Sequence, residues 1–344
     1  MGVNFNRSGH RVLHVCDRAG SENETRFIKY NPEVSGGLLF RATQFISLFL
    51  QTHLFRPDIV YVHQLNNWNW VRLSRALPKA VRVYDAHTSV LLEHTMFGST
   101  EEGLAVTRER ERNALTEPEH VITVSKETES FFTSTFTLDG KRISVVKNAT
   151  NITPLTSVPD STNAERFVCC SVLPQDGFQS NKMALDMLLD IASEMERVDP
   201  SIIFEVVGGG KQPEPKSRNV QYLGFVDDFK GAIVRADLCL VTYPEEAVCG
   251  GVRNKVCDFM ALGKPILSTP EGMRGFDDCK QEEEFVLANT AKEFVKSIID
   301  LQQNATKRKS LAVNALQASH NYQWSVRAAE VLATFEHILN RNEQ

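Results

Sequence analysis

Residues 236–276 read ADLCLVTYPEEAVCGGVRNKVCDFMALGKPILSTPEGMRGF: a buried strand over 238–242, a loop holding Gly250-Gly251, and a helix expected to start near Val252. A strand that passes through glycines into a helix is the repeating unit of a parallel α/β sheet. The glycines allow close backbone approach, and the first N–H groups of the helix have no partner within it. Arg253 and Lys255 add positive charge at that end. There they oppose the helix dipole, so a bound anion would balance them. Lys255 and Asp258 are three apart and share one exposed face, while Val256, Phe259 and Met260 turn to the core. That face offers an ammonium for phosphate oxygens and a carboxylate for ribose hydroxyls.

The same alternation extends in both directions. Short apolar strands are expected at 11–16, 59–62, 81–84, 121–124 and 143–146, with a helix at 38–54. A polar connector over 148–166 has no apolar period and reads as a linker. Strands then resume at 167–170, 202–207 (ending in Gly208-Gly209-Gly210), 220–223, 238–241 and 265–267, with helices at 182–197 and 290–339. The expected fold is α/β, with two Rossmann-like, doubly wound parallel-sheet domains facing across a cleft. The boundaries are 1–155, 156–322, and a terminal helix at 323–344 that folds back on the first domain. Open parallel sheets bind phosphate ligands beyond the carboxyl ends of their strands, so two facing sheets suit a donor on one side and an acceptor on the other.

Composition narrows the field. The 344 residues are 42% hydrophobic and 24% charged, as in globular proteins, and the net charge of −5 argues against a nucleic-acid partner. The longest apolar stretch, 38–54, is interrupted by Arg41, Gln44, Gln51 and His53, and the first residues lack the apolar core of a signal peptide. The expectation is a cytoplasmic protein, with peripheral membrane contact through the terminal helix left open beside packing on the first domain. Seven cysteines with no zinc spacing read as reduced core residues, and no metal site is expected. The first strand is not followed by Gly-x-Gly-x-x-Gly, which removes a nicotinamide-dependent oxidoreductase.

The region 236–276 resembles the donor-binding segment of family 4 retaining glycosyltransferases of GT-B fold. It is closest to a sub-pattern of Gly-Gly, Arg/Lys and a carboxylate before the Ala261-Leu262-Gly263-Lys264-Pro265 turn. Ser35-Gly36-Gly37 with Arg41, Asp85-Ala86-His87, Val124-Ser125, Val145-Val146-Lys147-Asn148, Asn181-Lys182, Val206-Val207-Gly208-x-Gly210, Leu223-Gly224-Phe225-Val226 and Tyr322-x-Trp324-Ser325 resemble further family motifs in the same order. The sequence departs from the family where its Glu-x7-Glu pair falls on Gly250 and Asp258, and where Lys147 replaces a frequent proline.

The resemblance implies a glycosyltransferase that moves a sugar from a nucleotide diphosphate to a glycan, a lipid-linked or another acceptor, with retention. The nucleotide sugar is a co-substrate, and neither a further cofactor nor a metal is implied. His87, Arg253 and Lys255 would act at the reaction centre. Gly36, Gly37, Asn181, Lys182, Gly208, Gly210, Gly250, Gly251 and Asp258 would bind the donor, and Asp85 and Glu93 would lie on the acceptor side. Without an Asp-x-Asp cluster, charge on the leaving diphosphate falls to cations and backbone amides. Each feature also has a plainer reading. Gly250-Gly251 is equally a turn, Asp258 a solvated partner of Lys255, His87 a structural histidine, and Gly36-Gly37 a packing device. Trp68 and Trp70 are loop anchors before they are sugar platforms. A sugar-nucleotide 2-epimerase and a non-catalytic partner of the same fold remain as alternatives; donor, acceptor and oligomeric state are left open.

Overall fold

The computed structural model describes residues 2–16, 26–29, 46, 49–63, 65, 79–159, 166–175, 177–248 and 250–342. The chain opens with α1 (Gly2–Arg7), β1 (Leu13–Cys16) and β2 (Arg26–Lys29), the last two pairing in parallel as a separate ribbon. A four-stranded sheet follows in the order β3 (Ile59–His63), β4 (Val81–Ala86), β5 (His120–Thr123) and β6 (Ile143–Val145). Helices α2 (Val90–Met96), α3 (Glu101–Thr116) and α4 (Lys126–Phe136) connect its later strands. Ser89, Thr100 and Ser125 cap the three helices, each accepting a backbone N–H from the first turn.

The second sheet is formed by β7 (Val168–Val172), β8 (Ile203–Val207), β9 (Val220–Gly224), β10 (Leu238–Val241), β11 (Ile266–Ser268) and β12 (Val286–Leu287). Its spatial order is β9-β8-β7-β10-β11-β12, all parallel. Counted within the sheet, this is the doubly wound order 3-2-1-4-5-6, which reverses between β7 and β10 and leaves a crevice at their carboxyl ends. The central strands are covered on both faces: four of the five residues of β7 and all four of β10 are buried. Helix α5 (Gln179–Val198) buries Ala184, Leu185, Leu188, Ile191, Ala192 and Met195 at helical spacing. After α6 (Phe229–Arg235) comes α7 (Lys255–Ala261), three residues later than the sequence suggests. Lys264, in the turn that follows, is 4% exposed and donates to the carbonyls of Val234 and Ala236, stitching α7 to the end of α6.

The stretch expected as one helical region over 290–339 is three helices: α8 (Ala291–Gln303), α9 (Ala305–Ala318) and α10 (Trp324–Asn342). Asn304 divides the first two because its side chain caps the amide of Lys307, and a tight turn at Ser319–Tyr322 divides the others. Helix α10 lies on the first sheet: Ala328, Val331, Phe335 and Ile338 share a core with Phe5, Val81, Val83, Ile122 and Val146. Cys169, Cys170, Cys239 and Cys257 are buried free thiols, and burial pushes the Cys239 thiol up to about 12. Among the described residues no helix is long and apolar enough to cross a membrane.

Candidate functional site

Elements from both lobes meet where the carboxyl ends of the two sheets face each other. In the second lobe, the Lys255 ammonium donates to the carbonyl of Val172 at the end of β7 and to the Tyr243 hydroxyl, 2.6 Å away. Tyr243 in turn donates to Asn181 Oδ1 at 2.6 Å, and Asn181 donates to the carbonyl of Pro174 at 3.0 Å. Lysine, tyrosine and asparagine thus bridge the crevice between β7 and β10. Lys182 is exposed in the first turn of α5, beside Asn181.

Arg253 is placed differently from Lys255. Its guanidinium is buried, stacks 3.7 Å from the centre of the Tyr243 ring, donates to the carbonyl of Ala247 and pairs with Glu271 at 3.4 Å. Its charge is therefore paired inside the lobe, and it braces the loop before α7 beside the Tyr243 ring. Asp258 is half-buried and accepts from Thr150 at 2.5 Å, and burial raises its pKa despite the neighbouring Lys255. Gly208 and Gly210 follow β8 with φ of 142° and 102°, and a Cβ on Gly208 would fall 2.6 Å from Pro174 Cα. Both glycines let that turn pack on the exit from β7.

In the first lobe, β3 and β4 pair in a register that sets His63 beside Asp85. Asp85 Oδ2 lies 2.8 Å from His63 Nδ1 and 3.1 Å from His87 Nε2, and accepts from the Tyr61 hydroxyl at 2.6 Å. Burial would raise the Asp85 carboxyl, but the hydrogen bonds and charges of His63 and His87 hold it well below the usual range. Burial likewise works against the charged form of His87, yet Asp85 outweighs it and raises the imidazole pKa, with a further hydrogen bond donated to Asn148. Asn148 donates to Asn254 at 2.7 Å, so the network reaches the residue that opens α7. Glu93 accepts from Thr88 at 2.7 Å on the first turn of α2.

Gly250 and Gly251 form the seam between the lobes. The Gly250 carbonyl accepts from the Ser89 amide at 3.3 Å and from the Thr128 hydroxyl at 3.0 Å. The structure therefore brings Lys255, Asn181, Gly208, Gly210, Gly250, Gly251 and Asp258 around the crevice, with His87 and Asp85 across the seam. Gly36, Gly37, Trp68 and Trp70 lie outside the described residues. Sequence reasoning missed His63, Tyr61 and Tyr243. A polar residue closing an apolar strand, as in IVYVH at 59–63, was the available signal.

Residues 167–304 match the family described as Glycosyl transferases group 1, and residues 2–153 match Glycosyltransferase Family 4. No curated protein sequence matches the chain. Among solved structures, sucrose-phosphate synthase from Thermosynechococcus elongatus is similar at a TM-score of 0.74 and 14% identity, covering 99% of this chain and 92% of that one. A glycosyltransferase from Rickettsia africae is similar at 0.74 and 12%, covering 98% and 93%. Anabaena HepE, crystallised with UDP, is similar at 0.73 and 15%, covering 98% and 96%. The likeness establishes the GT-B fold. With one match over each lobe and that fold throughout, the chain belongs to the family 4 (group 1) retaining glycosyltransferases.

Proposed function

We propose that this chain transfers a sugar from a uridine diphosphate donor to a hydroxyl of a glycan or lipid-linked acceptor. The observation that carries the donor side is the placement of the Lys255 ammonium at the β7–β10 crevice, where it donates to the Val172 carbonyl and the Tyr243 hydroxyl. A phosphate oxygen can replace either neutral acceptor and turn a hydrogen bond with one charged partner into one with two opposite charges. The UDP found with HepE supports uridine as the nucleoside.

In this reading the bond from the anomeric carbon to the diphosphate oxygen breaks, negative charge grows on the departing diphosphate, the acceptor oxygen bonds to the anomeric carbon, and its proton passes to the diphosphate. Lys255 and Lys182 meet that charge, together with amides of the Gly250-Gly251 loop. Arg253 is a positioning residue that fixes the Tyr243 ring through its stack and its pair with Glu271. Asn181 steadies Tyr243 from the other side. Gly208 and Gly210 bring backbone near the nucleotide, and Asp258 takes the ribose. Retention places the acceptor oxygen on the face the diphosphate leaves, where His87, oriented by Asp85, hydrogen-bonds the sugar and Glu93 faces the acceptor. Gly36-Gly37 enter this reading from the sequence resemblance alone.

The test is release of nucleoside diphosphate from a panel of UDP- and GDP-sugars, with and without glycan and lipid-linked acceptors. Acceptor-dependent UDP release is expected. Lys255→Ala should lower kcat about 10²–10³-fold, as loss of one oxyanion donor does. The substitution also removes two hydrogen bonds, so circular dichroism must show a folded variant. Full turnover in that folded variant, or release from GDP-sugars only, sinks the corresponding part of the proposal.

A further inference from the structure

The geometry points to a binding site for a divalent first-row transition ion, built by His63, Asp85 and His87 at the carboxyl end of the first sheet. This is the one cluster of three such ligands among the described residues. It lies in the first lobe and shares Asp85 and His87 with the reading above, which uses no metal: an ion there replaces the hydrogen bond from His87 to Asp85 and so competes with the sugar-facing role of His87.

The three ligand atoms form a triangle with sides of 2.8 Å (His63 Nδ1 to Asp85 Oδ2), 3.1 Å (His87 Nε2 to Asp85 Oδ2) and 3.4 Å (His63 Nδ1 to His87 Nε2). The circle through these points has a radius of about 1.8 Å, so an ion about 1 Å above their plane is roughly 2.0–2.1 Å from all three, the distance zinc takes to such donors. The ligand–ion–ligand angles are then about 86°, 98° and 112°, as expected when three ligands occupy one face of an ion. Two imidazoles and a carboxylate are the donor set that suits zinc, iron(II) and cobalt(II) rather than magnesium or calcium.

Hydrogen bonding alone accounts for this cluster less well. If both imidazoles donate to the same oxygen, their N–H groups lie side by side at 3.4 Å and repel; an ion takes a lone pair from each instead. The surroundings also match an outer shell that fixes ligand orientation. Tyr61 donates to the ligating carboxylate oxygen, and Asn148 hydrogen-bonds the His87 ring. A cavity of about 10 Å³, close to the room one water needs, borders Asp85 and His87 on the side of Tyr61 and Asn148, away from His63. Lys147 also borders it, but Asp277 and Asp278 neutralise that charge at 2.5 and 2.8 Å. The side chains of His63 and His87 are 44% and 30% exposed, which gives an ion a way in.

The site is tested by binding, so it stands or fails independently of the transferase reading. The full chain, stripped with a chelator, is titrated with Zn²⁺ by calorimetry and with Co²⁺ by visible absorption. One ion per chain is expected, with a Co²⁺ ligand-field band. His63→Ala and His87→Ala should each weaken Zn²⁺ binding at least about tenfold and lose the band. His63 is half exposed at a strand end, so His63→Ala is expected to fold, and circular dichroism checks this. Zn²⁺ should raise the thermal midpoint of the parent chain and leave that of His63→Ala unmoved. No binding at micromolar Zn²⁺, or full affinity retained in either variant, overturns the site.

Discussion

At Gly250 the family's first glutamate has no counterpart, and the packing gives the reason. The residue is pressed against the Ser89 backbone, and a Cβ there would fall well inside van der Waals contact with the Ser89 nitrogen and carbonyl. Glycine is thus required by the neighbouring main chain. Rotating a side chain cannot relieve a clash with main chain. Gly250→Ala is therefore expected to part the lobes at this seam. Amide exchange at Ser89 should rise at least about tenfold, because its N–H loses the Gly250 carbonyl. An uncrowded Gly→Ala change would instead stabilise the chain by about 0.4–1 kcal/mol through the unfolded state. A raised thermal midpoint with unchanged Ser89 exchange would show that the seam has room.

The first turn of α2 shows how one element is held by another. Ser89 caps it locally, and Glu111 of α3 accepts from the Ser89 hydroxyl at 2.9 Å, the Val90 amide at 2.8 Å and the Leu91 amide at 3.3 Å. Burial nevertheless pushes the Glu111 carboxyl up from 4.5 to about 7, against the pull of those donors. The folded state then holds a proton that the unfolded chain has released. This contribution to stability is complete below about pH 4.5 and is lost as pH rises through about 7, at most about 3 kcal/mol. Glu111→Gln cannot ionise, so the parent should lose stability relative to it between about pH 5 and pH 8. A thermal-midpoint difference that stays constant over that range would contradict the assignment. Elements of this kind differ in how far sequence reveals them. Strands such as β7 and β10 were legible because a sheet covered on both faces demands unbroken apolar runs. By contrast, β12 has only two residues, and β2 (Arg26–Lys29) has just two apolar residues between an arginine and a lysine, too few to show a period. The late start of α7 was hidden because Arg253 is drawn into the loop by Glu271, eighteen positions on. The lysine proposed for the diphosphate, Lys255, stood out by its spacing to the glycines. The His63 partner of Asp85 was not, since only strand register brings residues 22 apart side by side.

Across the whole molecule, the lobes are joined by the two chain crossings and by a set of charges beside them. At the crossings, the Thr150 amide donates to the Tyr322 carbonyl at 3.0 Å, and the Thr150 side chain reaches Asp258. Beside them Lys147, standing where the family often has proline, pairs with Asp277 and Asp278 of the other lobe, and Lys126 reaches Asp277 at 2.9 Å. Burial would lift the Asp277 carboxyl, but hydrogen bonds from Lys147 and Lys126 outweigh it and bring the carboxyl down to about 2. The carboxyl is partly solvated, so each pair is worth only about 0.2–1 kcal/mol and is screened by salt. That is small against the stability of a lobe but enough to shift an opening equilibrium severalfold. Asp277→Asn should leave the thermal midpoint almost unmoved while speeding exchange of the Ser89 and Thr150 amides about two- to fivefold at low salt. In the parent chain, added salt should produce the same acceleration; in Asp277→Asn it should do little more. Equal salt dependence in both proteins would mean that the seam at Gly250 and the crossings at Thr150 hold the lobes together without help from these charges.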